Sequence, residues 1–264
     1  MTHHNQLQSS LDKISKWCDE NAMELNVAKC LTMFFSRSTV VHPYNYSING
    51  AILKVVDMVK DLGVITTPTL SPYEHISQIA KRASSLLGFI FRTTKDLKNP
   101  LTLIILYKTL VRPVMEYCSV VWSPYQSLHI DILDKIQRRF IRLIGLRLGY
   151  HFQDVPIITL EQYYDLQPLS LRRKCYDLQF LFKLVNGIID CTSLLNNIEF
   201  SAPKGTRSKT LFARGFQARN YSYHHGLSRL LRMGGEASTH IDFFGISSSS
   251  FKRDASRYLQ GRTS

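Results

Sequence analysis

The stretch LTLIILYKTLVRPVMEYCSVVWSPYQSLHIDILDKIQRRFIRLIG, Leu101 to Gly145, reads as two helices of opposite character. In the first, Leu103, Ile104, Leu106, Tyr107, Leu110, Val111, Val114, Tyr117, Val120 and Trp122 make the surface apolar almost all round. Lys108, Arg112 and Glu116 recur every fourth residue and trace a single polar stripe, so the other faces are expected to be covered by protein. Pro113 removes the amide that would bond the carbonyl of Thr109, which predicts a kink or a restart of the helix there. The second helix divides cleanly when each residue is advanced by about 100° from Ile132. Ile136, Phe140, Leu143, Leu133, Ile144 and Ile130 fall between about 0° and 160°, whereas Lys135, Arg138, Arg139 and Arg142 fall between about 240° and 340°. One face packs; the other is a basic ridge.

Outward from this pair, Ser71-Pro72-Tyr73-Glu74 is a capping box with proline at the first helical position. Ile76, Ile79, Ala80, Ala83, Leu86, Leu87, Ile90 and Phe91 then recur at three and four, carrying a helix to about Arg92. Beyond Gly145 the text to Pro156 is a loop, and a helical stretch runs from about Leu160 to Asn186, bent or broken near Pro168, with Asn186-Gly187 as its stop. At the other end a helix is under way by Leu7, with Leu11, Ile14 and Trp17 or Cys18 on one stripe. Short extended pieces follow, MELNV, LTMFF, YNYSI, AILKV and KDLGVI, and Asn49-Gly50 between two alternating runs signals a hairpin. From Ser201, the cations Lys204, Arg207, Lys209, Arg214, Arg219, Arg229 and Arg232 occur with no acidic residue until Glu236. Such a run reads as a solvated segment or as an arm that contacts nucleic acid. Ile246 to Phe251 reads as low-complexity loop.

With 33 Lys plus Arg against 20 Asp plus Glu, the net charge of +13 points to a polyanionic partner, nucleic acid before a membrane surface. No apolar run reaches the roughly 18 residues of a membrane span, and the N-terminus lacks the pattern of a secretory signal, so an intracellular protein is expected. Cys18, Cys30, Cys118, Cys175 and Cys191 form no CxxC pair and read as reduced thiols rather than zinc ligands. Two-metal phosphoryl transfer needs converging carboxylates, and the chain has neither Asp-Asp nor Asp-x-Asp. Asp131 and Asp134 read as favourable charges near a helix N-terminus. His3-His4 and His224-His225 lack helical ligand spacing and read as surface residues. No GxxxxGK[ST], HExxH or GxSxG is present. By its residues alone the chain reads as a binding module, with no metal site and no cofactor of its own.

A resemblance is carried by ordered blocks. LQSSLDKISKWCDENAMELNVAKCLTMFFSR, YSINGAILKVVDMVKDLGVI, HISQIAKRASSLLGFIFR, LYKTLVRPVMEYCSVVWSP and LDKIQRRFIRLIG resemble, in order and spacing, the C-terminal part of reverse transcriptases from non-LTR, LINE-like retrotransposons, most closely the jockey type. LRRKCYDLQFLFKLVNGIIDC and IDFFGISSSSFKR look like the tail of the same reading frames. The resemblance implies an α+β chain: a small antiparallel β region with an N-terminal helix as palm remnant (1–70), a helical thumb-like part (71–150), a helical connection (151–200) and a basic, partly irregular tail (201–264).

It also implies roles. Lys29 matches a palm lysine near the incoming nucleotide's phosphates. Lys60, Asp61, Leu62, Gly63 and Val64 match the primer-grip hairpin, with Asp61 where the family usually has an aromatic residue. Lys135, Arg138, Arg139 and Arg142 lie where the thumb would contact an RNA, DNA or RNA–DNA hybrid. The fingers and the aspartate-bearing palm strands of the family would precede Met1, and the parent enzyme's magnesium would be held there. The chain is thus expected to be an inactive piece of an RNA-directed DNA polymerase, working in cytoplasm and nucleus. Alternatives are a host-retained nucleic-acid-binding protein without polymerase activity and a truncated copy without function.

Overall fold

In the computed structural model, which describes residues 3–38, 44–97, 99–201, 210–213 and 215–262, every strand lies between Leu31 and Thr66 and helices make up most of the rest. The protein is α+β and mainly helical. Its chain separates into two compact units, Met1–His75 and Ile76–Ser264.

In the first unit helix α1 (His3–Glu20) packs on a small core of Tyr46, Ile48 and Leu53, joined by Leu11, Leu25, Val27, Cys30, Phe34 and Tyr44. Strands β1 (Leu31–Thr32), β2 (Ser47–Ile48), β3 (Ala51–Ile52), β4 (Lys54–Val55), β5 (Val59–Asp61) and β6 (Val64–Thr66) form three separate pairs. The β2–β3 pair is an antiparallel hairpin, as the patterning around Asn49-Gly50 predicts, and β5–β6 is a second antiparallel hairpin, but β1 and β4 pair in parallel, Leu31 opposite Lys54. Asn49 (φ 51°) and Gly50 (φ 76°) both take the left-handed conformation that a two-residue type I′ turn requires. Gln8 then clamps this hairpin to α1, donating to the Ser47 carbonyl at 2.9 Å and accepting from its amide at 3.0 Å. Of the expected stripe on α1, Leu11 packs on this core and Cys18 is buried, whereas Leu7, Ile14 and Trp17 are exposed. The paired histidines are not idle: His4 stacks on Tyr44 and shares a hydrogen bond with the Tyr46 hydroxyl.

Helix α2 (Tyr73–Thr93) opens where the capping pattern places it, the Tyr73 amide donating to Ser71 Oγ. Asn99 caps α3 (Pro100–Leu106), accepting from the Leu101 amide at 2.9 Å. The same rod continues through a wide π turn (Tyr107–Val111) into α4 (Arg112–Glu116). Pro113 lies in the first turn of α4, where the α-helical bonding resumes after the π turn, in keeping with the expected restart. The wide turn lets the Arg112 amide bond the Tyr107 carbonyl one turn ahead of the proline, where the ring would otherwise crowd the Thr109 carbonyl. The rod ends at Tyr117, Cys118 takes the left-handed conformation (φ 54°), and α5 (Ser119–Trp122) is a separate turn. Leu103, Tyr107, Val111 and Met115 are fully buried, each contributing about 1.5–3 kcal/mol of apolar burial.

The polar stripe faces protein as well, contrary to expectation. Arg172 grips Glu116 through both carboxylate oxygens, Tyr176 donates to Glu116 at 3.0 Å, and Lys108 donates to the Tyr164 carbonyl at 3.1 Å. Leu101, Ile105 and Val121 are exposed instead. The inversion is stable because the buried charges are paired and hydrogen-bonded.

Helix α6 (Ser127–Arg147) buries Leu133, Ile136, Phe140, Ile141 and Ile144, with the Phe140 ring stacked on Tyr107 at 4.1 Å. Helices α7 (Ile157–Tyr163) and α8 (Leu169–Val185) flank the interruption at Pro168, and a single turn, α9 (Thr192–Leu195), follows. Beyond it lie α10 (Asn220–Tyr223), α11 (Gly226–Ala237) and α12 (Ser248–Gln260). Both α11 and α12 pack on α8, where Leu178, Leu181, Phe182, Phe212, Phe243, Phe251 and Ala255 form a second core. The Ile246–Phe251 segment is therefore not a loop. Ser247 caps α12, accepting from the Ser250 amide at 3.2 Å, and Phe251 is fully buried. All five cysteines are free thiols.

Candidate nucleic-acid interface

Lys135, Arg138, Arg139 and Arg142 share one side of α6 because residues three and four apart on a helix are neighbours. From Lys135 to Arg142 the helix rises about 10 Å, close to three phosphate steps along one strand of a duplex. The structure adds a second wall. Between α2 and α6 runs a groove of about 530 Å³ lined by Ala80, Lys81, Ser84, Ile132, Lys135, Ile136 and Arg139. Its floor is Ala80, Ile132 and Ile136, and Lys81, Lys135 and Arg139 supply cations from both helices. Lys81 escaped the reading of the sequence; the signal was its place beside Ala80 on the packing edge of α2, with Ser84 one turn on.

The four ridge residues differ in their surroundings. Lys135 and Arg139 are exposed. Arg138 reaches Asp131 at 3.8 Å, with both side chains about half exposed, a pair worth under about 1 kcal/mol and easily exchanged for a phosphate. Arg142 is half-buried, its guanidinium 5.1 Å from the centre of the Phe152 ring. That contact fixes the direction of the side chain at little cost to its charge.

Behind the ridge lies a layer of buried polar groups. Gln137 accepts from the Tyr107 hydroxyl at 3.0 Å and donates to Glu161 and to the Gln167 carbonyl, both at 3.3 Å. Burial raises the Glu161 carboxyl above its usual range, partly offset by the Gln137 bond. Asp134, expected to serve the helix N-terminus, lies too far along a helix that starts at Ser127. Burial raises its carboxyl, and the nearby Arg173 and Arg138 oppose that rise. Arg173 is 1% exposed and its Nη1 has no hydrogen-bond partner among the described residues; burial lowers its pKa, while Asp134, Glu116 and Asp177 act to raise it. These groups fix α6 against α7 and α8, and so fix the ridge.

The other expected site residues belong to the first unit. Lys29 is exposed at the end of a 3₁₀ turn (Val27–Lys29) just before β1, not on a strand. Lys60 to Val64 form the tip of the β5–β6 hairpin, with Lys60 opposite Ile65 and Asp61 opposite Val64. Leu62 (φ 43°) and Gly63 (φ 87°) make its turn, and Leu62 is 84% exposed. A β-hairpin tip that holds a leucine in the left-handed region is strained and sterically open. His75 anchors the hairpin, accepting from the Ile65 amide at 3.2 Å.

In the basic tail, Lys204, Arg207, Lys209 and Arg214 lie outside the described residues. Arg229, expected in a solvated run, is buried instead. It donates to Asp177 at 2.9 and 3.2 Å and to the carbonyls of Val120 and Ser123 at 2.7 and 3.5 Å. Among the described residues no group of three or more His, Cys, Asp and Glu converges as a metal site, and no helix is long and apolar enough to cross a membrane. The arrangement can hold a polyanion; it presents no paired carboxylates for phosphoryl transfer. Compared with protein families, with curated proteins and with solved structures, the chain finds no match.

Proposed function

We propose that this chain is the palm-end, thumb and tail portion of a LINE-like reverse transcriptase, and that its own activity is to hold a template–primer duplex. The family assignment rests on the order and spacing of the sequence blocks. The binding role rests on one physical observation: Lys81, Lys135 and Arg139 line a single groove between α2 and α6, continued by Arg138 and Arg142. A duplex RNA–DNA hybrid laid along α6 exchanges its counterions for these side chains, which provides affinity without sequence preference. The exposed Leu7, Ile14 and Trp17 of α1 supply an apolar face for the remaining palm of the parent enzyme. Magnesium chemistry belongs to that parent, whose carboxylates this chain lacks.

The test is charge reversal. R138E/R142E is expected to weaken binding of a hybrid hairpin at least tenfold and to reduce the dependence of affinity on salt by about two phosphate contacts. Unchanged affinity and salt slope in a folded variant would reject the ridge. Primer extension by the purified chain with magnesium and deoxynucleotides is expected to be absent; extension would overturn the claim that it only binds.

A further inference from the structure

At its C-terminal end the basic face of α6 gives way to a short aromatic loop. Leu146 follows Arg142 by one turn of the helix and is exposed, and Arg147 is committed elsewhere, donating to the carbonyls of Lys95 and Leu97. Arg142 is therefore the last cation of the ridge. No acidic residue occurs between Asp134 and Asp154. Just beyond the helix, Tyr150 and Phe152 are 44% and 46% exposed.

The loop is anchored at both ends on Gly145. Gly149 takes the left-handed conformation (φ 91°), and the amides of Gly149 and Tyr150 donate back to the carbonyls of Leu146 and Gly145 at 3.2 and 3.0 Å. Further on, Val155 packs so closely on Gly145 that a Cβ there would collide with its methyls. Between these anchors Phe152 returns to the ridge, its ring centre 5.1 Å from the Arg142 guanidinium. One face of Phe152 is thereby occupied, and its role is to aim Arg142. The Tyr150 ring meets no other aromatic ring and no cation among the described residues. It is the aromatic surface left open where the ridge ends.

A phosphate held by Arg142 has its next nucleotide at this point. Inside a duplex each base is covered on both faces by its neighbours, whereas a nucleotide beyond the last pair can offer a face to a side chain. One exposed ring beside one aimed cation suits that nucleotide, the ring taking the base and the cation its phosphate.

We propose that Tyr150 stacks on the first unpaired nucleotide beyond the duplex, so that the chain binds a duplex with a single-stranded overhang in preference to a blunt one. This rests on the ridge holding the duplex. Arg142 fixes the position of the strand through its phosphate, and Tyr150 adds affinity with little base preference.

The experiment compares a blunt hybrid hairpin, the same hairpin with an overhang of about four nucleotides at its open end, and the same overhang without bases, placed in turn on the 3′ and the 5′ strand. The unmodified protein is expected to bind the base-bearing overhang of one polarity roughly tenfold more tightly than the abasic and blunt forms. Y150L should abolish that difference and leave blunt binding within about twofold. R138E/R142E should weaken all forms together. Equal binding of base-bearing and abasic overhangs of both polarities by the unmodified protein, with blunt binding intact, would overturn the role of Tyr150 while leaving the ridge standing, and needs no variant to fold. A Y150L variant that lost blunt and overhang binding equally would also overturn it. Unchanged blunt binding in R138E/R142E would instead reject the ridge, and this proposal with it.

Discussion

Arg229→Met tests how the second unit is held together. Arg229 lies on α11 and Asp177 on α8; their side chains are 9% and 1% exposed, and the guanidinium also serves the carbonyls of Val120 and Ser123. Methionine keeps the apolar length but leaves a buried carboxylate without its main partner. Breaking one side of such a pair costs about 3–5 kcal/mol. Replacing both partners, as in D177L/R229M, removes the stranded charge and leaves chiefly two unpaired carbonyls, so its cost falls to about 1–3 kcal/mol.

Urea unfolding of the four proteins of this cycle at pH 7 should therefore give a coupling energy of roughly 2 kcal/mol or more. The pH dependence has a definite sign. Burial already raises the Asp177 carboxyl, and Arg229 opposes that rise. Without Arg229 the folded-state pKa climbs further above the unfolded one, so stability is present at low pH and lost as pH rises through the folded value. R229M should regain part of its deficit as pH falls from 7 toward 5. An R229M variant within about 1 kcal/mol of the parent, or strictly additive effects, would refute this account of the pair.

Other consequences follow from single sites. A Cβ at Gly145 would meet both methyls of Val155 at 2.5 Å, so G145A should destabilise by about 1–3 kcal/mol in thermal unfolding, with V155A restoring part of the loss. Burial raises the Glu161 carboxyl, so E161Q, which can still accept from Gln137, should raise Tm at pH 7. The gain should shrink as pH falls through the carboxylate range, and a pH-independent gain would count against it. Replacing Leu62 by glycine should stabilise the β5–β6 hairpin by relieving its left-handed strain, seen as slower amide exchange at Asp61 and Val64, the pair that closes the turn; faster exchange would contradict the strain.

What was legible in the sequence was local. Asn49-Gly50 specifies its turn by backbone conformation alone, Ser71 and Pro72 announce α2, and the 3.6-residue period places Lys135, Arg138, Arg139 and Arg142 on one side of α6. What was hidden needed partners distant along the chain. Arg229 looks solvated until Asp177, 52 residues earlier, lies against it. The Lys108–Arg112–Glu116 stripe looks like a wet face until Arg172 and Tyr176 cover it, which leaves Ile105 outside. The serine run before Phe251 looks irregular because serine favours caps and loops alike, and only the burial of Phe251 against Phe182 and Phe243 decides between them. Lys81 shows the same limit: α2 and α6 could each be drawn from periodicity, but not the groove between them.

The claim that α6 carries a polyanion-binding ridge is tested most directly by the salt dependence of hybrid binding to the unmodified chain. Four phosphate contacts predict that log K falls with log salt at a slope of about −3 to −4. Binding that is absent at low salt, or whose slope is near zero, would contradict the account.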